Sequence, residues 1–128
     1  MIDEMLLKEA YKAMQNSYSP YSNFKVGAAL LCKSGKVYTG CNIENASFSA
    51  TICAERTAIF KAVSEGEKDG FICLAIVCSG DDYPYPCGVC RQVFVEFMKD
   101  ANIIVGKKNG EYKKFTVKEL MPNSFTEF

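Results

Sequence analysis

The chain has 128 residues, 48% hydrophobic and 23% charged, a composition typical of one folded domain and not of a disordered segment. Fifteen basic residues balance fifteen acidic ones, so the net charge provides no field that would attract nucleic acid or an anionic membrane. The chain contains no histidine, which excludes the usual base of a catalytic triad and every zinc site with an imidazole ligand. Acid–base chemistry must then depend on carboxylates, Lys, Tyr or Cys.

The N-terminal segment carries charged residues at Asp3, Glu4, Lys8 and Glu9 and lacks the uncharged core of a secretion signal. No apolar run approaches the roughly 18 residues that a membrane-spanning helix requires. Seven cysteines without such a signal favour reduced thiols, used as metal ligands or core residues and not as disulfides. We therefore expect a cytoplasmic protein without a membrane partner.

Apolar periodicity and the positions of Gly and Pro predict a single domain over residues 1–128. A spacing of three and four residues between apolar side chains predicts a helix over 3–17, and the turn "KSGK" predicts a hairpin over 25–41. The later predicted elements are a helix at 53–66, a buried strand at 71–80, a helix at 87–100, strands at 101–108 and 111–117, and a short helix at 118–121. This order indicates an α/β fold of three layers, α/β/α, with a central mixed sheet of about five strands flanked by helices.

Two sets of side chains are expected to fill the core. In the helix over 87–100, the expected inward face consists of Val89, Val93, Phe94 and Phe97. Cysteines that lie in or beside apolar strand runs are expected to be small core residues, namely Cys32, Cys41, Cys73 and Cys78.

Two strand-to-helix junctions hold the residues that can carry chemistry. The second junction, "PCGVC", places Cys87 and Cys90 on one side of a starting helix, where both thiols can hold one ion. The first, "TICAERTAIF", places Cys53 at the start of the other helix, where it can supply a third sulfur. Helix N-termini favour the thiolate form, and a catalytic zinc site keeps three protein ligands and one position for water.

Charged neighbours complete this expected metal site. Three thiolates and Zn²⁺ would carry a net negative charge, and Arg56 or Arg91 could withdraw it by donating hydrogen bonds to the sulfurs. In a regular helix Glu55 would point about 200° away from Cys53. Both can face one pocket only if Cys53 lies at or within one residue of the helix start. Glu55 is then expected to be a non-ligand carboxylate beside the metal-bound water, the position of a proton shuttle.

Four motifs and the tail "LMPNSF" resemble the small homotetrameric zinc-dependent cytidine deaminases over most of the chain: "SPYSNFKVGAAL", "GCNIENASF", "TICAERTAIFKA" and "PCGVCRQV". "CAE" followed by "PCGVC" is similar to the zinc deaminase signature in its three-cysteine form. The resemblance implies a cytidine deaminase-like fold and one Zn²⁺ per subunit, held by Cys53, Cys87 and Cys90. It also implies a pyrimidine salvage enzyme that converts free cytidine and 2′-deoxycytidine to uridine and 2′-deoxyuridine with release of ammonia.

The same resemblance implies roles for individual residues. Zinc would activate water to hydroxide for attack on C4 of the cytosine ring, while Glu55 takes the proton of the water and passes it to N3. Asn42 and Glu44 match positions that hydrogen-bond ribose hydroxyls. Phe24 matches an aromatic wall beside the base, and the Ala54 backbone would contact the base. Positions that reach the site of a neighbouring subunit are matched by Ala46, Phe48 and Phe125.

Two positions depart from the pattern of that family. Phe48 stands where tyrosine is common, which removes a hydroxyl from that contact. Tyr85, in "DDYPYPC", lies near a position that is often small, so substrate fit at that edge can differ. Neither departure changes the expected metal ligands or Glu55.

Three other functions remain open at the level of the residues. The first is a deaminase of another aminopyrimidine nucleoside, such as a nucleoside antibiotic, although "NIEN" favours a ribose-bearing substrate. Deamination of polymeric RNA or DNA fits poorly with zero net charge and no basic stripe. From a different class, a non-enzymatic zinc interaction module predicts four protein ligands around the metal and no release of ammonia from any nucleoside.

Overall fold

The computed structural model describes residues 1–128, and its helices and strands follow the predicted order. A short 3₁₀ helix over Phe48–Ala50, which the sequence patterns do not predict, lies between the second strand and the second helix. The helices are α1 (Ile2–Met14), α2 (Ala54–Ser64), α3 (Gly88–Phe97) and α4 (Val117–Leu120). The strands are β1 (Val26–Cys32), β2 (Val37–Cys41), β3 (Phe71–Cys78), β4 (Asn102–Gly106) and β5 (Tyr112–Thr116). None of the helices combines the length and the apolar composition needed to cross a membrane.

The five strands form one mixed sheet in the order β2-β1-β3-β4-β5. β3 and β4 pair in parallel through the crossover that contains α3, and the other neighbours pair antiparallel. Because β2 and β3 both run antiparallel to β1, their C-terminal ends reach the same edge of the sheet. The helices that follow these two strands, α2 and α3, therefore begin near each other.

Side chains that alternate along the strands fill a core on each face of the sheet. On one face, Leu30 and Ile76 pack with Ile59 of α2 and Phe94 of α3. On the other face, α1 covers β1, β3 and β4. The core beneath α1 includes Leu6, Leu7, Ala10, Ala29, Ala75 and Val77. The predicted three-layer α/β/α arrangement is confirmed.

The inward face of α3 differs from the predicted one. Val89 is 58% exposed and Phe97 is 38% exposed, whereas Cys90, Phe94 and Val95 are buried. The helix begins at Gly88, immediately after its N-cap, and the face that meets the sheet contains the thiol of Cys90. The prediction for Val89 and Phe97 is therefore wrong. Cys90 occupies a buried position on α3, so the large apolar residues alone do not mark the buried face of this helix.

All seven cysteines are free thiols. Cys32, Cys73 and Cys78 are buried as predicted, and Cys41 is partly buried. Burial raises the pKa of the Cys32 and Cys73 thiols to about 11, so both remain neutral at physiological pH. These three buried thiols behave as small core residues.

Gly40 of β2 allows the first turn of α2 to lie directly on the strand. A Cβ atom at this position would stand 2.5 Å from the Ala54 carbonyl oxygen and 2.6 Å from the Ala58 nitrogen, closer than real side chains approach. Thr57 of α2 then donates a hydrogen bond of 3.1 Å to the Cys41 carbonyl. This close packing fixes the N-terminus of α2 at the edge of the sheet.

Candidate active site

Three thiols lie together where α2 and α3 begin. The Sγ atoms of Cys53, Cys87 and Cys90 are all within 4.8 Å of one another, and those of Cys53 and Cys87 are 3.8 Å apart. Zn–S bonds of about 2.3 Å in a tetrahedral site place two sulfurs about 3.8 Å apart. The donor set and its spacing therefore fit zinc, and the group contains no fourth ligand side chain.

The backbone at the helix starts directs these thiols toward a common point. Cys53 is the N-cap of α2 and Cys87 is the N-cap of α3, each with extended backbone angles. The prediction that Cys53 lies at or within one residue of the helix start is confirmed. Since the cap residue stands outside the helical geometry, both Cys53 and Glu55 face the same cavity.

Arg56 supplies positive charge to the thiol group. Its Nη2 atom donates a hydrogen bond of 3.3 Å to Cys53 Sγ. Hydrogen bonding to Cys90 and to Arg56 lowers the pKa of the Cys53 thiol below its usual value. This favours the thiolate, the form that a metal ligand requires. The Nε atom of Arg56 is buried without a hydrogen-bond partner and remains a free donor on this guanidinium.

Arg91 makes hydrogen bonds that differ from the expected donation to a sulfur. Its Nε donates to the Pro86 carbonyl at 2.7 Å, and its Nη1 donates to the Leu120 carbonyl at 2.8 Å. A residue that follows Cys90 directly is turned about 100° from it around the helix, away from the thiol side. Arg91 therefore braces the segment before Cys87 against the end of α4.

Glu55 is the buried carboxyl of the site. It is 4% exposed and lines the cavity beside Cys53 and Cys87. Burial raises the pKa of Glu55 from 4.5 to about 7. A carboxyl group with a pKa near neutrality can both accept and release a proton under physiological conditions, as a general acid–base catalyst must.

A cavity of about 380 Å³ opens from the thiols toward the surface, a size typical of small-molecule sites. Among the residues predicted for substrate binding, those that line it are Phe24, Asn42, Glu44 and Ala54. Tyr83, Pro84 and Tyr85, from the aromatic segment expected to affect substrate fit, also line it. Sequence reasoning missed other lining residues, namely Val26, Thr51, Ile52 and Ile76. The signal available for Val26 and Ile76 was their place at the ends of apolar strands, the usual edge for ligands in α/β folds.

The side chain of Asn42, which lines the cavity, joins the segment after α1 to the segment at the start of β1. Its Oδ1 accepts hydrogen bonds from the Ser17 hydroxyl and from the Val26 amide, the latter at 2.9 Å. Its Nδ2 donates to the Phe24 carbonyl at 2.8 Å. One amide hydrogen remains unused, so Asn42 still offers a donor to a ligand.

Glu44 is held beside Asn42 by the turn that precedes β1. Its Oε1 accepts hydrogen bonds from the backbone amides of Tyr21 and Ser22, at 3.0 and 3.2 Å. Hydrogen bonds from the Ser22 hydroxyl and these amides lower the pKa of Glu44 below 4.5. Glu44 is thus an ionised acceptor fixed at the cavity wall, opposite in character to the donor of Asn42.

Ala46, Phe48 and Phe125 do not line this cavity. Phe48 is 89% exposed and borders a smaller depression with Tyr21 and Glu44. Phe125 is 66% exposed, and its carbonyl accepts a hydrogen bond of 3.0 Å from Gln92 of α3. Within one chain these three side chains are exposed to solvent.

Comparison with known proteins assigns this site to a family. Residues 1–107 match the family model described as the cytidine and deoxycytidylate deaminase zinc-binding region. The chain is 49% identical over 124 residues to the cytidine deaminase of Halalkalibacterium halodurans, covering 96% of this chain and 93% of that protein. It is 46% identical over 125 residues to the cytidine deaminase of Sporosarcina psychrophila, covering 97% of this chain and 91% of that protein.

A solved structure agrees with these sequence matches. The crystal structure of the cytidine deaminase from Burkholderia pseudomallei superposes on this chain with a TM-score of 0.93 and 40% sequence identity. The match covers 98% of this chain and 100% of that chain. The chain therefore belongs to the cytidine and deoxycytidylate deaminase family, whose shared region binds zinc. Zinc is accordingly the cofactor that the three-thiol group is built to take.

Proposed function

We propose that the protein is a cytidine deaminase that hydrolyses free cytidine and 2′-deoxycytidine to uridine and 2′-deoxyuridine with release of ammonia. The observation that carries this proposal is the buried Glu55 carboxyl, which faces the same cavity as three thiols with zinc spacing. Cys53, Cys87 and Cys90 would hold one zinc ion. When bound, zinc supplies the Lewis acid that allows water to react at neutral pH.

Glu55 moves the protons of the reaction. Since the chain has no histidine, Glu55 is the buried acid–base group of this cavity. With a pKa near 7, its ionised form accepts a proton from water, and its protonated form delivers that proton to N3 of the base. The second proton of the water, carried by the hydroxyl added at C4, then passes through Glu55 to the departing amine. Burial keeps bulk water from competing for this proton.

The polar groups at the cavity mouth suit a nucleoside. Asn42 offers a hydrogen-bond donor and Glu44 an ionised acceptor, a pair that can bind ribose hydroxyls. Phe24, which is 43% exposed, forms an apolar wall for the base, and Ala54 also lines the cavity, where its backbone would contact the base. This arrangement supports a free pyrimidine nucleoside as the substrate.

We infer that residues 1–128 act as one catalytic domain within a homotetramer. Ala46, Phe48 and Phe125 would complete the site of a neighbouring subunit, which is supported by the exposure of both aromatic side chains. The free thiols of the site are maintained in a reducing cytoplasm, which supports that location. Hydrolysis of free nucleosides with recovery of uridine is a step of pyrimidine salvage.

An ultraviolet assay of cytidine conversion tests the function directly. Chelation should abolish turnover and added Zn²⁺ should restore it. Glu55→Gln should retain zinc, measured by metal analysis, and lose about 10²- to 10⁴-fold in kcat. The matched control is Glu65→Gln at the exposed end of the same helix, which should keep wild-type turnover. Near-normal turnover by Glu55→Gln, or full turnover without metal, contradicts the proposal.

A further inference from the structure

The cavity wall next to Cys87 is formed by Tyr83, Pro84 and Tyr85. Side chains from the β4–β5 hairpin contact both tyrosines of this wall. The Nζ atom of Lys113 on β5 donates a hydrogen bond of 3.2 Å to Tyr85 Oη. The same Nζ lies 4.6 Å from the ring centre of Tyr83, within the range of a cation–π interaction.

Two further side chains extend this contact. The Nζ of Lys107, just after β4, lies 4.8 Å from the ring centre of Tyr83. Phe115 of β5 meets Tyr85 edge-on, with ring centres 6.1 Å apart and planes at 61°. We call these residues the aromatic–lysine cluster: Tyr83, Tyr85, Lys107, Lys113 and Phe115.

Beyond the Arg91 hydrogen bond to the Pro86 carbonyl, side-chain contacts hold this wall, because its backbone amides make few hydrogen bonds. Residues 83–87 belong to no helix or strand. Pro84 and Pro86 have no N–H group to donate, and the Tyr85 amide bonds only to the Tyr83 carbonyl within the same segment, at 3.1 Å. Cation–π and aromatic contacts are individually weak, but several together can fix a segment of this length.

We propose that the aromatic–lysine cluster sets the size of the group that fits beside Cys87, with Tyr85 as the specificity-determining residue and Lys113 as its positioning residue. This inference rests on the proposed function, because the reacting carbon of the base must approach the thiol group. The wall beside Cys87 then lies next to the amine that departs. A rigid aromatic wall at this place admits an unsubstituted amine and excludes an alkylated one.

Competition between two substrates tests this proposal. Cytidine and N⁴-methylcytidine are supplied together, and chromatography of each gives the ratio of their kcat/KM values. One methyl group in a tight pocket changes kcat/KM by about 10- to 200-fold. Tyr85→Ser should raise the ratio in favour of the methylated substrate by about tenfold, and Lys113→Met should raise it by about threefold. Since both substrates meet the same enzyme, partial loss of folding does not alter the ratio.

The adjacent lysine provides the matched control. Lys114 forms an ion pair of 3.2 Å with Asp3 of α1 instead of contacting the aromatic rings. Lys114→Met should therefore leave the ratio unchanged. Tyr85→Phe removes the acceptor of the Lys113 hydrogen bond, so adding Lys113→Met to it should raise the ratio by less than in the wild-type background.

The outcomes separate this inference from the proposed function. A raised ratio in Tyr85→Ser and Lys113→Met, with Lys114→Met unchanged, supports the cluster. Wild-type turnover of cytidine combined with an unchanged ratio in both cluster variants overturns the inference alone. An equal rise in Lys114→Met also overturns it, since the effect would not be local. A wild-type enzyme without cytidine turnover overturns the proposed function and this inference with it.

Discussion

Glu55 is the residue at which folding and catalysis make opposing demands. Its carboxyl is 4% exposed, and burial raises its pKa from 4.5 to about 7. Between these two pH values the folded chain binds the proton more tightly than the unfolded chain. Its contribution to stability therefore falls as pH rises through this window, and above it the charged carboxylate costs about 3 kcal/mol.

Replacement of Glu55 by Gln, which stays neutral, should remove this cost in the metal-free protein. At pH 8 we expect the free energy of unfolding of Glu55→Gln to exceed that of the wild type by about 3 kcal/mol. At pH 5 the two free energies should differ by less than about 1 kcal/mol. Urea unfolding with a chelator at both pH values provides the measurement. The exposed Glu65→Gln should show no such difference, and an equal gain for Glu55→Gln at both pH values would contradict the assigned pKa.

For single residues, the sequence could predict those positions that depend only on the local geometry of the chain. The position of Cys53 followed from helix geometry, because only a cap residue can share a pocket with Glu55 two positions later. The hydrogen bond of Arg91 to the Leu120 carbonyl was out of reach, since it joins groups that only the tertiary fold brings together. For Ile76 the sequence offered its place near the end of an apolar strand, but which cavity it lines depends on the pairing of β3 with β1.

Apolar periodicity predicted the helices and strands, but it did not always predict which face of an element is buried. The order of helices and strands matched the prediction because most of them carry an apolar period or run, bounded by turn or loop residues. The buried face of α3 was misassigned because Cys90 takes a core position that a larger apolar residue normally marks. The 3₁₀ helix over Phe48–Ala50 is too short to leave a period in the sequence.

The close packing of α2 on β2 positions Cys53 at the start of α2. Substitution of Gly40 tests how much the site depends on this packing. In Gly40→Ala the new Cβ would meet the Ala54 carbonyl at 2.5 Å, so α2 must shift away from β2. We expect a loss of about 1–3 kcal/mol in the free energy of unfolding, the usual cost of overpacking. Because Cys53 caps this helix, zinc content and kcat should fall as well.

Gly27→Ala serves as the matched control for Gly40→Ala. Its Cβ would stand 2.1 Å from the Ala10 carbonyl of α1, on the face of the sheet opposite the thiols. It should therefore lower stability while the folded fraction keeps its zinc and its kcat. Zinc content per folded molecule, with folding followed by circular dichroism, distinguishes the two variants. Equal retention of zinc in both would show that α2 does not depend on the close approach at Gly40.

For the whole molecule, two exposed aromatic side chains bear on the proposed homotetramer. Phe48 is 89% exposed and Phe125 is 66% exposed, so both rings are accessible to a neighbouring subunit. The tail around Phe125 is ordered by Gln92 and by edge-on packing of Phe125 on Phe128, with ring centres 5.4 Å apart. An ordered and exposed aromatic side chain is suited to enter the cavity of another subunit.

Exchange of subunits tests whether Phe125 acts in a neighbouring chain. Phe125→Ala should keep its zinc and lose about tenfold or more in kcat/KM, since stacking on a base contributes about 1–3 kcal/mol. Glu55→Gln should also be inactive, but co-expression of the two variants should give hetero-oligomers in which an intact Glu55 meets a Phe125 from its partner. Their activity should exceed the mean of the two separate variants, and light scattering should give the mass of four chains. A fully active monomer, or no gain on co-expression, would show instead that each chain completes its own site.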